Sequence, residues 1–269
     1  GPALEVTAEG LPATTELVAT VLAAEGSVAA SARGKGLSLV LRWPGSRGWE
    51  PGLPWRYRLR VAALAPGQIL ACDERNVGLR TRAVAPGGPT PLLRHVTRRR
   101  QPDWTFRLNG QSWFPRLTVY HWPSPEATEL AGTRLLADLW LDGLRLYGFR
   151  DEAALWERFD RRGLAMLGSL SPSYRNLESW DDVAPWAAEY ARACRAARRL
   201  RDRPAPIMAQ VGNEVELAAW GANLGTAFPD AAYQPLDQAA AILRREWDPN
   251  LPILYARAGS FRDVPPLPF

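Results

Sequence analysis

The chain has 269 residues, of which 46% are hydrophobic and 23% charged, and its formal net charge is +5. These values are typical of a folded protein with one large domain or two smaller ones, and they exclude a disordered chain. No run of eighteen apolar residues occurs, and the chain has only two cysteines and two histidines. A transmembrane helix, a disulfide scaffold and a cysteine-rich zinc site are therefore excluded.

Arginine supplies nearly all of the positive charge, since Lys35 is the only lysine. A nucleic-acid site requires basic residues gathered on one face of the protein. Dense groups occur at Arg98–Arg100 and again between Arg195 and Arg203. Exposed helix faces account for such arginines more readily than a nucleic-acid site does. We therefore expect neither a nucleic-acid partner nor a membrane partner.

Residues 1–103 predict an immunoglobulin-like β-sandwich. Short apolar alternations such as Leu37–Leu41 and Tyr57–Ala62 are separated by Gly and Pro, with a turn at Pro66–Gly67. Alternation with period two between turn signals is typical of antiparallel strands that bury one face. Only Thr14–Ala24 has a pattern that is also compatible with a helix.

Residues 104–269 alternate between predicted strands and predicted helices. The predicted strands are Trp113–His121, Gly143–Tyr147, Leu164–Leu170, Ile207–Val211 and Ile253–Ala256. The predicted helices are Pro125–Leu141, Asp151–Arg162, a long helix that begins at Ser179, and Pro235–Trp247. This order predicts a parallel sheet with right-handed crossovers, and both a barrel and an open doubly wound sheet fit it.

The residues that follow each predicted strand are the candidates for a site, because ligands of such sheets bind at the carboxyl ends of the strands. No glycine-rich nucleotide motif follows any of these strands, so we expect no cofactor. Asn213 and Glu214 follow the fourth strand. A carboxyl group at this position suits proton donation to a glycosidic oxygen, if its surroundings raise its pKa. Alternatively, both residues cap the next helix.

Three groups of motifs resemble glycoside hydrolase family two, the β-galactosidase, β-glucuronidase and β-mannosidase group. The first group is Trp49–Tyr57 with Val77–Arg80, similar to the family's "W-x-P-x-x-P-x-x-Y … G-x-R" segment. The second is Phe106–Gly110, similar to "F-x-L-N-G". The third comprises Gly143–Arg145, Phe159–Leu164 and Ile207–Glu214, similar to "N-x-V-R", "C-D-x-x-G-L" and "I-I-M-W-S-L-G-N-E".

The resemblance implies roles for particular residues. Glu214 matches the family's general acid/base, and Asn213 matches the residue that binds the sugar 2-hydroxyl. Arg145 matches an arginine that supports the catalytic carboxylates, and His121 lies near a histidine that follows the first strand. Tyr147 and Trp220 complete the predicted substrate-binding residues of the cleft.

The chain also departs from the family pattern at three sites. Val119 stands where the family has Asn, Ala209 replaces a Trp, and Gly168–Ser169 lies where an acidic residue is common. These departures affect the substrate that we expect the cleft to accept.

The resemblance further implies a partial (β/α)8 barrel over residues 104–269, with about five of its strands. A retaining glycosidase needs a nucleophile about 5–5.5 Å from its acid/base carboxyl group. In the family this nucleophile follows the seventh strand, so it is not found in this chain. Glu216 is a poor substitute, because it lies two residues beyond Glu214 on the same side of the sugar. We expect the isolated chain to be inactive.

Two functional hypotheses follow. In the first, the intact protein is a retaining β-glycoside hydrolase of the β-galactosidase-like type that acts on a carbohydrate substrate, with Glu214 as general acid/base. In the second, the chain is a non-catalytic carbohydrate-binding or assembly module. Its degenerate barrel would then be completed by a homo-oligomer or by another chain, because an open parallel sheet leaves unpaired edges and uncovered apolar surface.

Overall fold

Fourteen strands and three helices lie in the parts of the chain that the structure, a computed structural model, describes. The described residues are 3–43, 45–86, 104–120, 134–136, 138–146, 153–170, 183–213 and 234–256. None of the described helices is both long enough and apolar enough to cross a membrane.

Six strands form the N-terminal part. They are β1 (Ala3–Thr7), β2 (Glu16–Leu22), β3 (Val28–Lys35), β4 (Ser38–Arg42), β5 (Tyr57–Ala65) and β6 (Gln68–Val77). They make a four-stranded antiparallel sheet in the order β3-β2-β5-β6 and a two-stranded sheet of β1 and β4. Leu17, Leu41 and Leu59 are among the buried residues that join the two sheets in one apolar core. The predicted strands around 37–41 and 57–62, and the turn between β5 and β6, are confirmed.

The helix-compatible pattern of Thr14–Ala24 belongs to a strand. β2 lies between β3 and β5 and pairs with both of them. Its alternate residues Leu17, Ala19 and Val21 are fully buried. The side chains therefore follow the two-residue period of a strand, and pairing on both edges determines the structure of this segment.

A small sheet of three strands follows in the chain. Its strands are β7 (Arg82–Pro86), β8 (Trp104–Leu108) and β9 (Gln111–Ser112), in that order. Asn109 and Gly110 connect β8 to β9 with φ angles of 51° and 80°. Two consecutive positive φ angles are typical of a type I′ hairpin turn, for which Asn-Gly is the preferred sequence. The motif Phe106–Gly110 thus forms a β-hairpin.

The C-terminal part is an α/β structure with a five-stranded sheet. Its strands are β10 (Leu117–Tyr120), β11 (Gly143–Leu146), β12 (Ala165–Leu170), β13 (Pro206–Asn213) and β14 (Ile253–Ala256). Its helices are α1 (Ala153–Arg162), α2 (Val183–Leu200) and α3 (Gln234–Glu246). The strands are parallel and lie in their sequence order. The predicted alternation from β11 to β14 is confirmed, and β10 begins four residues later than predicted. Most of the helix predicted over Pro125–Leu141, and the predicted start of the long helix at Ser179, lie outside the described residues.

The described helices pack on one face of this sheet. A single apolar core contains Trp156 of α1, Leu200 of α2, Leu243 of α3 and buried residues of β11 to β14. Right-handed crossovers between strands that are adjacent in sequence and in space place every connecting helix on the same face. The described strands show no reversal of order, which a doubly wound sheet requires.

Two arginines, Arg80 and the buried Arg82, connect the N-terminal part to the base of the α/β part, which is the end at which β13 begins. Arg80 Nη2 donates to the carbonyl oxygens of Arg203 and Pro206, both at 2.8 Å. Arg82 Nη1 donates to Pro206 O at 2.6 Å, and its Nη2 donates to Asp248 Oδ2 at 2.8 Å. Burial lowers the pKa of both arginine side chains. The contacts lie at the amino end of β13, opposite the end that carries Asn213.

Candidate functional site

Arg145 and Asn213 meet at one face of the parallel sheet. Arg145 belongs to β11 and Asn213 is the last residue of β13, with β12 between them. The Nη2 group of Arg145 donates a hydrogen bond to Oδ1 of Asn213. Neighbouring strands lie about 4.8 Å apart, so only a long side chain can cover the distance across β12. Of the predicted substrate-binding residues, the structure therefore brings these two together.

A β-bulge sets the position of Asn213. Gly212 has a φ of 74°, and the pairing of β13 with β14 shifts between Gln210 and Asn213. Glycine adopts this left-handed conformation without the steric cost that a Cβ atom imposes. Bulges redirect side chains and occur often beside active sites. The bulge at Gly212 lets Gln210 and Asn213 interact although they are three residues apart.

Gln210, three residues before Asn213 on β13, holds the Asn213 side chain by a hydrogen bond. Its Nε2 donates to Gly212 O at 2.8 Å and to Asn213 Oδ1 at 3.3 Å. Gln210 is only 2% exposed, so these bonds form in a place shielded from water. The Oδ1 atom of Asn213 thus accepts from both Gln210 and Arg145, and these two bonds fix the orientation of the amide group.

Ser169 lies beside Gln210 on the neighbouring strand. The two residues are paired in the register of β12 with β13, and Ser169 is 1% exposed. Its Oγ atom has no hydrogen-bond partner among the described residues. Val119, which replaces the family's Asn, is 42% exposed on β10. Among the described residues of the site, those on β11 to β13 are therefore polar, whereas the one on β10 is apolar.

The remaining predicted site residues lie outside the described residues. They are Glu214, His121, Tyr147 and Trp220. Glu214 follows Asn213, the last residue of β13, directly in the sequence. The roles assigned to these four residues stay predictions.

The described residues contain no group of three or more His, Cys, Asp or Glu side chains that could hold a metal ion. The two cysteines are separate and free: Cys72 is exposed, and Cys194 is half-buried on α2. The chemistry that this face supports is therefore hydrogen bonding and charge interaction by Arg145 and Asn213.

Asp160 is a buried carboxylate, but it lies at the end of the sheet opposite to Asn213. Its Oδ1 accepts from the backbone N of Ala205 at 2.9 Å, and its Oδ2 accepts from Arg203 Nη1 at 3.1 Å. Burial raises the pKa of Asp160, while the hydrogen bonds to it and the charge of Arg203 oppose this rise. Ligands of parallel α/β sheets bind at the carboxyl ends of the strands, so a residue at the amino ends serves stability. Asp160 fixes the end of α1 to the start of β13.

A cavity of about 730 Å³ lies between β1, the inner face of the four-stranded sheet and residues 201–203 of the α/β part. Its walls include Leu4, Leu17, Leu59 and Val61. Neither Arg145 nor Asn213 lines it. The cavity is therefore separate from the candidate site, and it arises because only β1 and β4 cover a four-stranded sheet.

Sequence reasoning missed two residues that shape the site, Gln210 and Gly212. The signal for Gly212 was present, because an isolated Gly inside a strand pattern suggests a bulge. Gln210 carried a weaker signal: it is a polar residue within the apolar run of a buried strand, and buried polar groups need partners.

The comparisons with known proteins show similarity of structure. No protein-family model matches the chain, and no curated protein matches its sequence. A β-D-glucuronidase from Dictyoglomus thermophilum matches 95% of this chain with a TM-score of 0.67 and 16% identity, over 44% of its own length. The β-glucuronidase of Ruminococcus gnavus matches 93% of the chain with a TM-score of 0.67 and 13% identity, over 42% of its own length.

A third solved structure, the β-glucuronidase of Parabacteroides merdae, matches 91% of the chain with a TM-score of 0.65 and 16% identity, over 29% of its own length. The chain thus spans less than half the length of each of these enzymes. At such identities the likeness concerns the fold. The chain has a β plus α/β fold that β-glucuronidases share, and this agrees with the fold that the sequence motifs imply.

Proposed function

We propose that the chain carries the acid/base half of the active site of a retaining β-glycoside hydrolase of the β-galactosidase-like type. In this proposal residues 1–103 are an immunoglobulin-like domain and residues 104–269 are the first part of a (β/α)8 barrel. The sequential order of β10 to β14 supports the barrel, as does the match to less than half of each β-glucuronidase.

The observation that carries the proposal is the hydrogen bond from Arg145 to Asn213 near the carboxyl ends of the strands. Ligands of such sheets bind at the carboxyl ends of the strands. Oδ1 of Asn213 accepts from Arg145 and Gln210, and these bonds fix the orientation of its amide group. A sugar hydroxyl is a hydrogen-bonding group of suitable size and polarity for a side-chain amide at this position.

In the proposed mechanism Glu214 protonates the leaving glycosidic oxygen. A nucleophilic carboxylate outside this chain attacks the anomeric carbon and forms a glycosyl-enzyme. Glu214, now deprotonated, then removes a proton from the water that hydrolyses this intermediate. Asn213 donates to the sugar 2-hydroxyl, an interaction that strengthens in the transition state of such reactions. Arg145 holds the Asn213 amide in place throughout the reaction.

The test is hydrolysis of aryl β-glucuronides, β-galactosides and β-mannosides by the intact protein. Glu214→Gln is expected to lower kcat/KM by about 10²–10⁴-fold, the usual contribution of a general acid/base. Glu216→Gln is the matched control, since it removes a neighbouring carboxylate and is expected to leave turnover unchanged. Unchanged turnover in Glu214→Gln contradicts the proposal.

Arg145→Ala separates orientation from chemistry. Without the guanidinium group of Arg145, Oδ1 of Asn213 loses one of its two donors and keeps the 3.3 Å bond from Gln210. We expect kcat to fall more than KM rises, because the 2-hydroxyl contact matters most in the transition state. Arg145→Lys keeps the positive charge but lacks the planar guanidinium group and its several N–H donors. This variant is therefore expected to recover only part of the kcat that Arg145→Ala loses.

A second candidate function is a non-catalytic module whose sheet is completed by another chain. Val119 on β10 and Leu254 on β14, the two edge strands, are 42% and 45% exposed. Exposed apolar side chains on both edges favour association with a further β-sheet or helix. Sedimentation velocity of the chain tests this candidate: a monomer at 50 µM, roughly the concentration at which weak interfaces form, contradicts it.

A further inference from the structure

The strand register places Ser169 on the same face of the five-stranded sheet as Arg145 and Gln210. Residues that are paired between parallel strands direct their side chains to one face, and so do residues two apart on a single strand. Arg145 of β11 is paired with Leu167 of β12. Ser169 lies two residues beyond Leu167 and is paired with Gln210 of β13. All four side chains therefore lie on the face that carries the candidate site.

The side chain of Arg145 crosses β12 at the position of Ser169. Arg145 is level with Leu167 in the register. Its hydrogen-bond partner Asn213 lies three residues beyond Gln210, which is level with Ser169. The path from Arg145 to Asn213 therefore passes over β12 beyond Leu167, at Ser169. The 1% exposure of Ser169 agrees with a side chain that lies over it.

Ser169 is small and uncharged at this crossing. Its Oγ atom is buried and has no hydrogen-bond partner among the described residues. The Nη2 group of Arg145 bonds Asn213 instead. An unpaired buried hydroxyl group destabilises a fold, so the hydroxyl is not a source of stability here. What Ser169 provides is a side chain that neither fills the space over β12 nor binds the guanidinium group.

A larger or an acidic side chain at position 169 would redirect Arg145. A branched side chain would occupy the space through which the guanidinium group passes, and protein interiors are packed too closely to accept added atoms without a shift. A carboxylate on β12 would also be nearer to Arg145 than Asn213 is, because β12 is the neighbouring strand. It would attract the guanidinium group by its charge and accept two hydrogen bonds, whereas Asn213 offers one neutral oxygen.

We propose that Ser169 is a positioning residue that directs the guanidinium group of Arg145 to Asn213. It does so because it leaves the path across β12 open and carries no negative charge. The consequence for sugar hydrolysis rests on the proposed glycosidase function, in which Asn213 binds the sugar 2-hydroxyl. The contact between Arg145 and Asn213 does not depend on that function and can be measured by itself.

The first test is a double-mutant cycle on Arg145 and Asn213, measured as melting temperatures of the purified chain. The interaction is the difference between the shift in the double variant Arg145→Ala/Asn213→Ala and the sum of the two single shifts. The cycle is repeated in three backgrounds: Ser169→Ala removes the hydroxyl group, Ser169→Thr adds a methyl group, and Ser169→Asp adds a charge. Thr118→Val is the matched control background, because the pairing of Thr118 with Leu144 places it on the opposite face of the sheet.

We expect an interaction of about 2–6 °C in the parent chain, as for contacting residues in a protein of this size. Ser169→Ala and Thr118→Val are expected to retain this interaction. Ser169→Thr is expected to reduce it by at least half, and Ser169→Asp is expected to abolish it.

Three outcomes of the cycle overturn the proposal. They are an interaction of equal size in all backgrounds, no interaction in the parent chain, and its loss in Ser169→Ala, which would show that the hydroxyl group matters. If Ser169→Asp does not fold, Ser169→Thr decides, since it changes the side chain by only one methyl group.

The second test compares kcat and KM of the intact protein on aryl β-glycosides. Ser169→Thr is expected to lower kcat by about 2–10-fold, the factor that corresponds to half of such an interaction, with a smaller change in KM. In the Arg145→Ala background it is expected to have no further effect, because the contact that it weakens is already absent. Thr118→Val is expected to leave both constants unchanged. Losses that multiply in the double variant Ser169→Thr/Arg145→Ala overturn the proposal.

The two tests separate this inference from the proposed function. Unchanged turnover in Glu214→Gln refutes the glycosidase function, and the melting-temperature cycle then still decides the role of Ser169. Loss of turnover in Glu214→Gln together with an equal interaction in all Ser169 backgrounds refutes this inference alone.

Discussion

Removal of the Asp160 carboxylate tests whether the base of the α/β part is held by this side chain. Asp160 is 2% exposed and accepts from the backbone N of Ala205, a residue that is fully buried. In Asp160→Ala this N–H loses its acceptor, which costs about 1–3 kcal/mol. The lost contact with Arg203 adds little, about 0–1 kcal/mol, since Arg203 is partly exposed and keeps Glu157 at 2.5 Å.

The expected destabilisation of Asp160→Ala is thus about 3 kcal/mol. For a protein of this size it corresponds to a decrease in the melting temperature of about 6–12 °C. Asp160→Asn keeps an oxygen that accepts from Ala205 N but loses the charge that faces Arg203. We therefore expect this variant to lose only about 1 kcal/mol.

Thermal unfolding followed by circular dichroism measures both variants. Asp73→Ala is the control, because Asp73 is 51% exposed and its ion pair with Arg75 is expected to contribute less than about 1 kcal/mol. A loss in Asp160→Asn equal to that in Asp160→Ala would show that charge dominates, and the argument from the Ala205 hydrogen bond would be refuted. A loss below about 1 kcal/mol in Asp160→Ala would be no larger than the effect of a typical surface substitution. It would show that Asp160 does not stabilise the base of the α/β part.

Three further predictions follow from the structure. Gly212→Ala places a Cβ atom at a φ of 74°, so we expect a loss of about 1–2 kcal/mol in urea unfolding and reduced glycoside turnover through a displaced Asn213. Gly143→Ala brings a Cβ atom to 1.8 Å from Ala165 O, and failure to fold, seen as loss of soluble protein, is expected. Burial raises the pKa of Glu157, but two arginines outweigh it and lower the pKa below 4.5. The native state therefore binds fewer protons, and stability is lost as the pH falls through this lowered pKa; Glu157→Gln is expected to reduce this acid sensitivity of the melting temperature.

The sequence predicted the α/β part well because its strands are short apolar runs separated by amphipathic helices. Val211 and Ile253 lie in such runs, and β14 has the predicted bounds Ile253–Ala256. The segment 14–24 was ambiguous, since Leu17 and Val21 are compatible with one helix face as well as one strand face. Pairing with two neighbouring strands decides between them, and a local pattern does not contain those partners.

The sequence predicted that Arg145 and Asn213 lie at the same end of the sheet, but it did not predict the hydrogen bond between them. The resemblance placed both residues at strand ends, but the contact depends on the bulge at Gly212 and on the support of Gln210. Such a bulge arises from the register of β13 against β14, which the sequence of one strand does not reveal. The function of Trp49 was also not predicted: its Nε1 donates to Asp160 O at 2.8 Å and joins the two parts of the chain.

The guanidinium groups of Arg80 and Arg82 have a consequence for cooperativity. Their acceptors, the carbonyl of Pro206 and the carboxylate of Asp248, belong to the α/β part. If either part melted alone, the hydrogen bonds of these two arginines to the α/β part would be lost, and each such bond of a charged group contributes about 1.5–3 kcal/mol. Partial melting is therefore disfavoured, and the two parts are expected to unfold together in a single calorimetric transition. Halves produced separately would lack these contacts and are expected to be less stable than the same parts within the whole chain.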